Sequence, residues 1–78
     1  MQAIFDDATR TAERLQQRSF QGRCEMLDTA ITERRAFALH ENGLFKIEWH
    51  GIVATGETEE AVLQNWISAV KRTQGDAA

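Results

Sequence analysis

The residues able to carry out nucleophilic, acid–base or metal chemistry are few in this sequence. It contains two histidines, His40 and His50, and one cysteine, Cys24. A zinc site needs about four such ligands at close spacing, and a nucleophilic cysteine needs an adjacent base. Neither pattern occurs, and no glycine-rich phosphate loop is present. We therefore expect no catalytic residue, no metal and no cofactor, and we expect Cys24 to be a buried, unreactive core residue.

Arginines form the most regular charged pattern. Arg10, Arg14 and Arg18 recur every four residues, and Arg34 and Arg35 add a doublet. Such a row could contact phosphate groups of a nucleic acid. However, neighbouring acidic residues cancel the charge on this segment, which favours a solvated, ion-paired face. Nucleic-acid contact by these five arginines is therefore the alternative prediction.

Size and composition set wider limits. The chain has 78 residues, 42% of them apolar and 27% charged, with a formal net charge of −3. These values are ordinary for a folded domain and disfavour nonspecific binding to nucleic acid or to an anionic membrane. No apolar segment approaches the roughly 20 residues of a membrane span, and the N-terminus does not resemble a signal peptide. We expect one cytoplasmic domain over residues 1–78, with a frayed tail at 74–78.

The N-terminal half predicts a helix followed by a strand. From about Ala3 to Arg18, apolar residues recur at helical spacing. Between Ser19 and Leu27, polar residues alternate with apolar ones, and this alternation is typical of a strand. The alternating apolar or small residues are Phe20, Gly22, Cys24 and Met26. The turn that follows, between residues 28 and 36, cannot be placed from the sequence.

The strongest local signal is Asn42-Gly43 between two alternating apolar segments, which predicts a β-hairpin. A two-residue loop would pair Leu39 with Lys46 and mix apolar and charged residues on both faces. A three-residue loop would pair Leu39 with Phe45 and make one face apolar. Because register normally follows the buried face, we predict the three-residue loop, with Gly43 in a G1 bulge.

The last helix is predicted from Thr58, a suitable N-cap, to about Arg72. Its apolar residues cover roughly 160° of the helical wheel, where a surface helix needs about 100°. Leu63, Trp66 and Ile67 occupy this arc. Either the N-terminal helix or another copy of the protein must cover the surplus arc. Because the alanine-rich stripe of the first helix looks too slender, we predict that these three residues form an interface with another copy.

Together these elements predict an α+β fold. It has an N-terminal helix, a three- to four-stranded antiparallel β-meander and a C-terminal helix, with both helices on one face of the sheet. The water-facing residues should be Arg23, Glu25, Lys46 and Glu48. The predicted core face bears Phe20, Cys24, Met26, Phe37, Leu39, Phe45, Ile47 and Trp49.

Two families share features with this pattern. The order helix, three strands, helix resembles the double-stranded-RNA-binding fold, although that family has lysines where its last helix begins and this chain has Glu59 and Glu60. Residues 36 to 70, with Gly51, Gly56-Glu57-Thr58 and Glu60-Ala61, are similar to HicB-type antitoxins. Both resemblances imply a fold only.

The resulting functional expectation is a small, non-catalytic module for protein binding or assembly that forms a homo-oligomer. An unidentified protein partner is also consistent with this interpretation. The alternative is a nucleic-acid-associated regulator, antitoxin-like or double-stranded-RNA-binding-like, that uses the arginine row. An enzyme ranks third, because no catalytic pair is visible.

Overall fold

The computed structural model describes the backbone of residues 3–77 and the side chains of residues 7–73. Three helices and three strands follow the order helix, helix, three strands, helix. They are α1 (Ala3–Gln16), α2 (Phe20–Thr32), β1 (Ala36–Glu41), β2 (Leu44–Trp49), β3 (Ile52–Gly56) and α3 (Glu59–Ala77). The α+β class and the antiparallel sheet, with strand order β1-β2-β3, are confirmed.

Helix α1 follows its predicted pattern. Ala8, Ala12 and Leu15 lie on one stripe and are buried. The small alanines allow α1 to pack closely against α3 and α2. The side chains of Ile4, Phe5 and Asp6 lie outside the described residues. Of the predicted frayed tail at 74–78, only the backbone of residues 74–77 is described, and it belongs to α3.

The predicted strand from Ser19 to Leu27 is wrong, because this segment begins helix α2. Ser19 is the N-cap, and its hydroxyl accepts a hydrogen bond from the Gly22 N–H at 3.3 Å. Cys24, Leu27 and Ile31 then fall at helical spacing and pack on the core. An alternating segment this short also fits a helix, and its capping serine was the missed signal.

Helix α2 ends in a Schellman motif, which places the turn that the sequence left open. The Arg35 N–H donates to the Ala30 carbonyl at 2.7 Å, and the Arg34 N–H donates to the Ile31 carbonyl at 3.0 Å. Arg34 therefore occupies the left-handed position, with φ of 64°, where glycine is usual. This turn sends the chain directly into β1.

The predicted hairpin register is also wrong. Leu39 pairs with Lys46 and His40 pairs with Phe45, so the loop consists of Asn42 and Gly43 alone. Their φ angles of 56° and 76° are those of a type I′ turn. This turn matches the right-handed twist of the strands, so local turn chemistry fixed the register rather than the apolar pattern.

The register determines which face of the sheet is covered. Ala36, Ile47, Trp49 and Ala54 are buried on the inner face, where α2 packs against β1 and α3 packs against β2 and β3. The helices therefore lie on one side of the sheet, as predicted.

The predicted core contained residues that the structure exposes. Phe37 is 67% exposed, Leu39 is 55% exposed, and Phe20 is also largely exposed. Phe37 and Leu39 were misplaced because the one-residue change in loop length moves them to the opposite face. Phe20 was misplaced because it begins a helix instead of lying in a strand.

Helix α3 starts at the predicted cap. The Thr58 hydroxyl accepts from the Ala61 N–H at 3.0 Å, and the Thr58 carbonyl accepts from the Val62 N–H at 2.9 Å. The helix extends to Ala77, five residues beyond the predicted end.

Candidate functional site

The clearest candidate site is built around the turn that joins β2 to β3. Trp49 pairs with Ile52, so His50 and Gly51 form a two-residue loop. Their φ angles of 55° and 74° make it a second type I′ turn. Histidine in this left-handed conformation is uncommon, and such residues are enriched at functional sites. The sequence signal was the His-Gly dipeptide, which repeats the pattern of Asn42-Gly43.

His50 is held in place by contacts from two other elements. Its Nε2 lies 3.0 Å from the Thr11 hydroxyl on α1. Its ring stacks beside the Trp49 indole, with centroids 6.0 Å apart and an interplanar angle of 8°. These contacts connect α1 to the end of the sheet although 39 residues separate Thr11 from His50.

Trp66 hydrogen-bonds the backbone of the same turn. Its Nε1–H donates to the Ile52 carbonyl at 3.0 Å and to the Trp49 carbonyl at 3.3 Å. Its ring is fully buried, 5.1 Å from the Trp49 ring. Trp66, which was predicted to be an interface residue, is therefore buried inside the chain, where it stabilises the β2–β3 turn.

The other two predicted interface residues are also internal. Leu63 and Ile67 are buried within the single chain, with 1% and 0% of their surfaces exposed. Helix α1 packs directly on α3, and α2, a helix that the sequence did not predict, adds a further layer to the same core. The wide apolar arc therefore needs no second copy of the protein to cover it, and it offers no exposed interface.

The structure brings some of the predicted arginines together. Arg10 and Arg14, on α1, and Arg35, before β1, line a cavity of about 610 Å³ whose wall also includes His50. A neighbouring cavity of about 320 Å³ is lined by Arg14, Arg18 and Arg35. Thus four of the five predicted arginines line these two cavities, and Arg34 lines neither of them.

Trp49, which lines the smaller cavity, carries an unusual buried donor. Its side chain is only 2% exposed. Among the described residues, its Nε1–H has no hydrogen-bond partner. A buried donor without an acceptor costs about 1–3 kcal/mol, and native structures contain few of them.

Two ionisable groups among the residues with described side chains have displaced pKa values. Burial lowers the pKa of His50; nearby Asp7 opposes this shift and Arg35 adds to it. Burial also raises the pKa of the half-buried Cys24 thiol, and the carboxylates of Glu59 and Asp28 raise it further. Cys24 is thus less completely buried than predicted, although it packs against the core.

The remaining candidate residues form no site. His40 stacks on Phe45 with ring centroids 4.0 Å apart. Glu57, Glu59 and Glu60 are exposed at the start of α3. Within residues whose side chains are described, no group of three or more His, Cys, Asp or Glu side chains could hold a metal ion.

None of the helices in the described part of the chain is both long enough and apolar enough to cross a membrane. Comparisons of the chain with protein-family models, with curated proteins and with solved structures find no match.

Proposed function

We propose that this protein is a small, non-catalytic assembly module that self-associates through the outer face of its sheet. The observation that supports this proposal is a cluster of large apolar side chains on the face that no helix covers. The cluster consists of Phe37, Leu39, Leu44 and Val53, each more than 40% exposed. Exposed apolar side chains grouped on one uncovered face commonly mark an interaction site.

The two charged residues at the centre of this outer face suggest a second copy as the partner. Lys46 and Glu48 lie two residues apart on the central strand β2 and face the same side. If two sheets stack face to face with their β2 strands antiparallel, Lys46 lies opposite Glu48 of the second copy. Phe37 pairs with Glu48 and Leu39 pairs with Lys46, so the same arrangement places Phe37 over Leu39. The outer face is therefore self-complementary in charge and in apolar character, as a two-fold interface requires.

The association should be weak. Burying the exposed parts of the four apolar side chains contributes about 3–6 kcal/mol per protomer, from 1.5–3 kcal/mol for each full side chain. The loss of translational and rotational freedom costs about 4–15 kcal/mol. The two protomers together contribute about 6–12 kcal/mol, so the net gain is at most about 8 kcal/mol. A net gain of about 5 kcal/mol within that range corresponds to a dissociation constant of about 200 µM.

Sedimentation equilibrium from about 10 µM to 1 mM tests this proposal, since this range brackets the expected dissociation constant. The wild type should pass from monomer to dimer, and Phe37→Lys should remain monomeric. Phe20→Lys is the matched control, because Phe20 is an exposed phenylalanine on α2, away from the sheet. A wild type that is monomeric at about 1 mM, or a Phe37→Lys variant that dimerises normally, would refute self-association through this face.

A charge exchange tests the antiparallel arrangement. Lys46→Glu should weaken the dimer, because two like charges then face each other across the interface. The double variant Lys46→Glu/Glu48→Lys should restore dimerisation. If the double variant is as weak as Lys46→Glu, the two residues do not face each other.

The arginine row carries the alternative proposal, a nucleic-acid-associated regulator. Its segment of α1 also carries the exposed acidic residues Asp7 and Glu13, which line the larger cavity together with Arg10 and Arg14. This interleaving weakens the attraction for a phosphate backbone. A salt-dependent mobility shift with DNA or RNA would favour the alternative.

A further inference from the structure

The cavity of about 320 Å³ lies where α1, α2 and the end of the sheet meet. Arg14 lies on α1, Arg18 in the connection to α2, and Arg35 at the entrance to β1. Three positively charged side chains thus reach one concave surface from three separate segments. Glu25 is the one acidic residue in the described lining, so the surface retains an excess of positive charge.

Hydrogen-bonding capacity in this cavity is dominated by donors. Each arginine offers five N–H groups and no acceptor. Arg35 uses its Nε to bond the Glu33 carboxylate at 2.8 Å and its Nη2 to contact the same oxygen. Its Nη1 is not engaged in that pair. Thr11 and Thr29 add hydroxyl groups to the lining.

The two tryptophans differ in how their indole donors are satisfied. Trp66 donates its indole N–H to two backbone carbonyls. Trp49 is equally enclosed, yet its indole N–H has no partner among the described residues. The Trp49 Nε1 is closed to solvent and is not a ligand contact, but the indole lines the cavity and can report on its occupancy.

We propose that this cavity binds the phosphate group of a small molecule, held by Arg14, Arg18 and Arg35. Guanidinium groups match phosphate oxygens in geometry and charge, and a phosphate accepts several hydrogen bonds at once. This site is distinct from the outer face of the sheet and does not depend on self-association.

The indole resonances in a ¹⁵N–¹H NMR spectrum provide a direct test. The probe is inorganic phosphate, titrated into the full chain at constant ionic strength maintained with chloride. The Trp49 indole resonance should shift in a saturable manner, because Trp49 lines the cavity, whereas the Trp66 resonance should stay in place, because Trp66 does not line it. A parallel titration with acetate should produce a smaller change, because a carboxylate has fewer oxygens and less charge.

Arginine variants test the position of the site. Arg18→Gln should raise the dissociation constant for phosphate about tenfold, as expected for the loss of one charge-assisted hydrogen bond. Arg34→Gln and Arg10→Gln are matched controls, because Arg34 lies outside both cavities and Arg10 lines only the larger one. Each control should change binding by less than about twofold, since removing a distant exposed charge has little effect at moderate salt.

Three outcomes would overturn the proposal. The Trp49 resonance could stay fixed as phosphate is added, acetate could bind as tightly as phosphate, or all three variants could weaken binding equally. The last outcome would indicate a diffuse attraction to the arginine-rich surface. Because Arg18 is exposed, the Arg18→Gln variant should fold normally, and circular dichroism checks this before titration.

Discussion

Gly56 is the position where the structure allows a substitution to be predicted most sharply. It ends β3, two residues before the cap of α3, and the first turn of α3 passes directly over it. A Cβ placed on Gly56 would lie 2.6 Å from the Val62 nitrogen and 2.9 Å from both the Ala61 carbonyl carbon and the Val62 Cα. Ordinary carbon contacts are about 3.5–4.0 Å, so Gly56→Ala requires a displacement of about 1 Å.

The backbone of α3 itself would have to make that displacement. All three atoms belong to the backbone, so no side chain can rotate away. The same turn is tied to Thr58 by hydrogen bonds to the Ala61 and Val62 N–H groups. Overpacking of this kind costs about 1–3 kcal/mol. The reduced entropy of the unfolded alanine chain offsets about 0.4–1 kcal/mol.

We therefore expect Gly56→Ala to lower the free energy of unfolding by about 1–2 kcal/mol, from the two terms above. For a domain of this size, that corresponds to a decrease in Tm of roughly 4–16 °C. Urea unfolding followed by tryptophan fluorescence measures the change, since both Trp49 and Trp66 are buried in the folded state.

Gly43→Ala provides a contrasting control. Gly43 has φ of 76°, and a Cβ placed there would meet nothing within 4 Å, so its cost is left-handed strain of about 1–2 kcal/mol without a clash. Backbone NMR shifts in α3 should change in Gly56→Ala and stay constant in Gly43→Ala. If Gly56→Ala is as stable as the wild type, the close approach of β3 to α3 is wrong.

Two further predictions follow from the pKa shifts. Burial lowers the pKa of His50 in the folded state, so the unfolded chain binds the proton more tightly. The His50 contribution to stability should therefore be fully present above the ordinary histidine pKa of about 6.5. It should be lost as the pH falls through the lower pKa of the folded state. Urea unfolding at a series of pH values measures this loss, and His50→Asn, which tolerates the left-handed turn, should show a smaller loss; an equal loss would assign it to other groups. For Cys24, the raised thiol pKa predicts that a thiol reagent labels the native protein more slowly than the denatured protein. Glu59→Gln should speed native labelling and the neighbouring Glu60→Gln should not, because Glu59 contributes to the shift; equal rates in the native and denatured states would contradict this reasoning.

Some features of the fold follow from the local sequence. The alanine stripe of α1, the Thr58 cap and the Asn42-Gly43 turn depend only on residues a few positions apart, because a helix period, a cap and a type I′ turn each satisfy their own backbone groups. The α+β class was predictable for the same reason. Arg10 and Arg14 of the predicted arginine row line the larger cavity together, since residues four apart on a helix share a face, whereas Arg18 lies beyond the end of α1.

The covered face and the sites required the tertiary structure. Residues 20–26 fit both periods over a short distance, and packing of α2 against β1 and α1 joins the Ser19 cap in selecting the helix. The hairpin register follows from its turn, but only the packing of α2 and α3 on the sheet shows that the face bearing Phe37 and Leu39 stays uncovered. Thr11, Arg35 and the adjacent pair Trp49-His50 come together although these three segments are far apart in sequence, because α1, the start of β1 and the β2–β3 turn converge at one corner of the fold. Local periodicity contains no information about such tertiary contacts, because they depend on how the layers of helices and strands pack together.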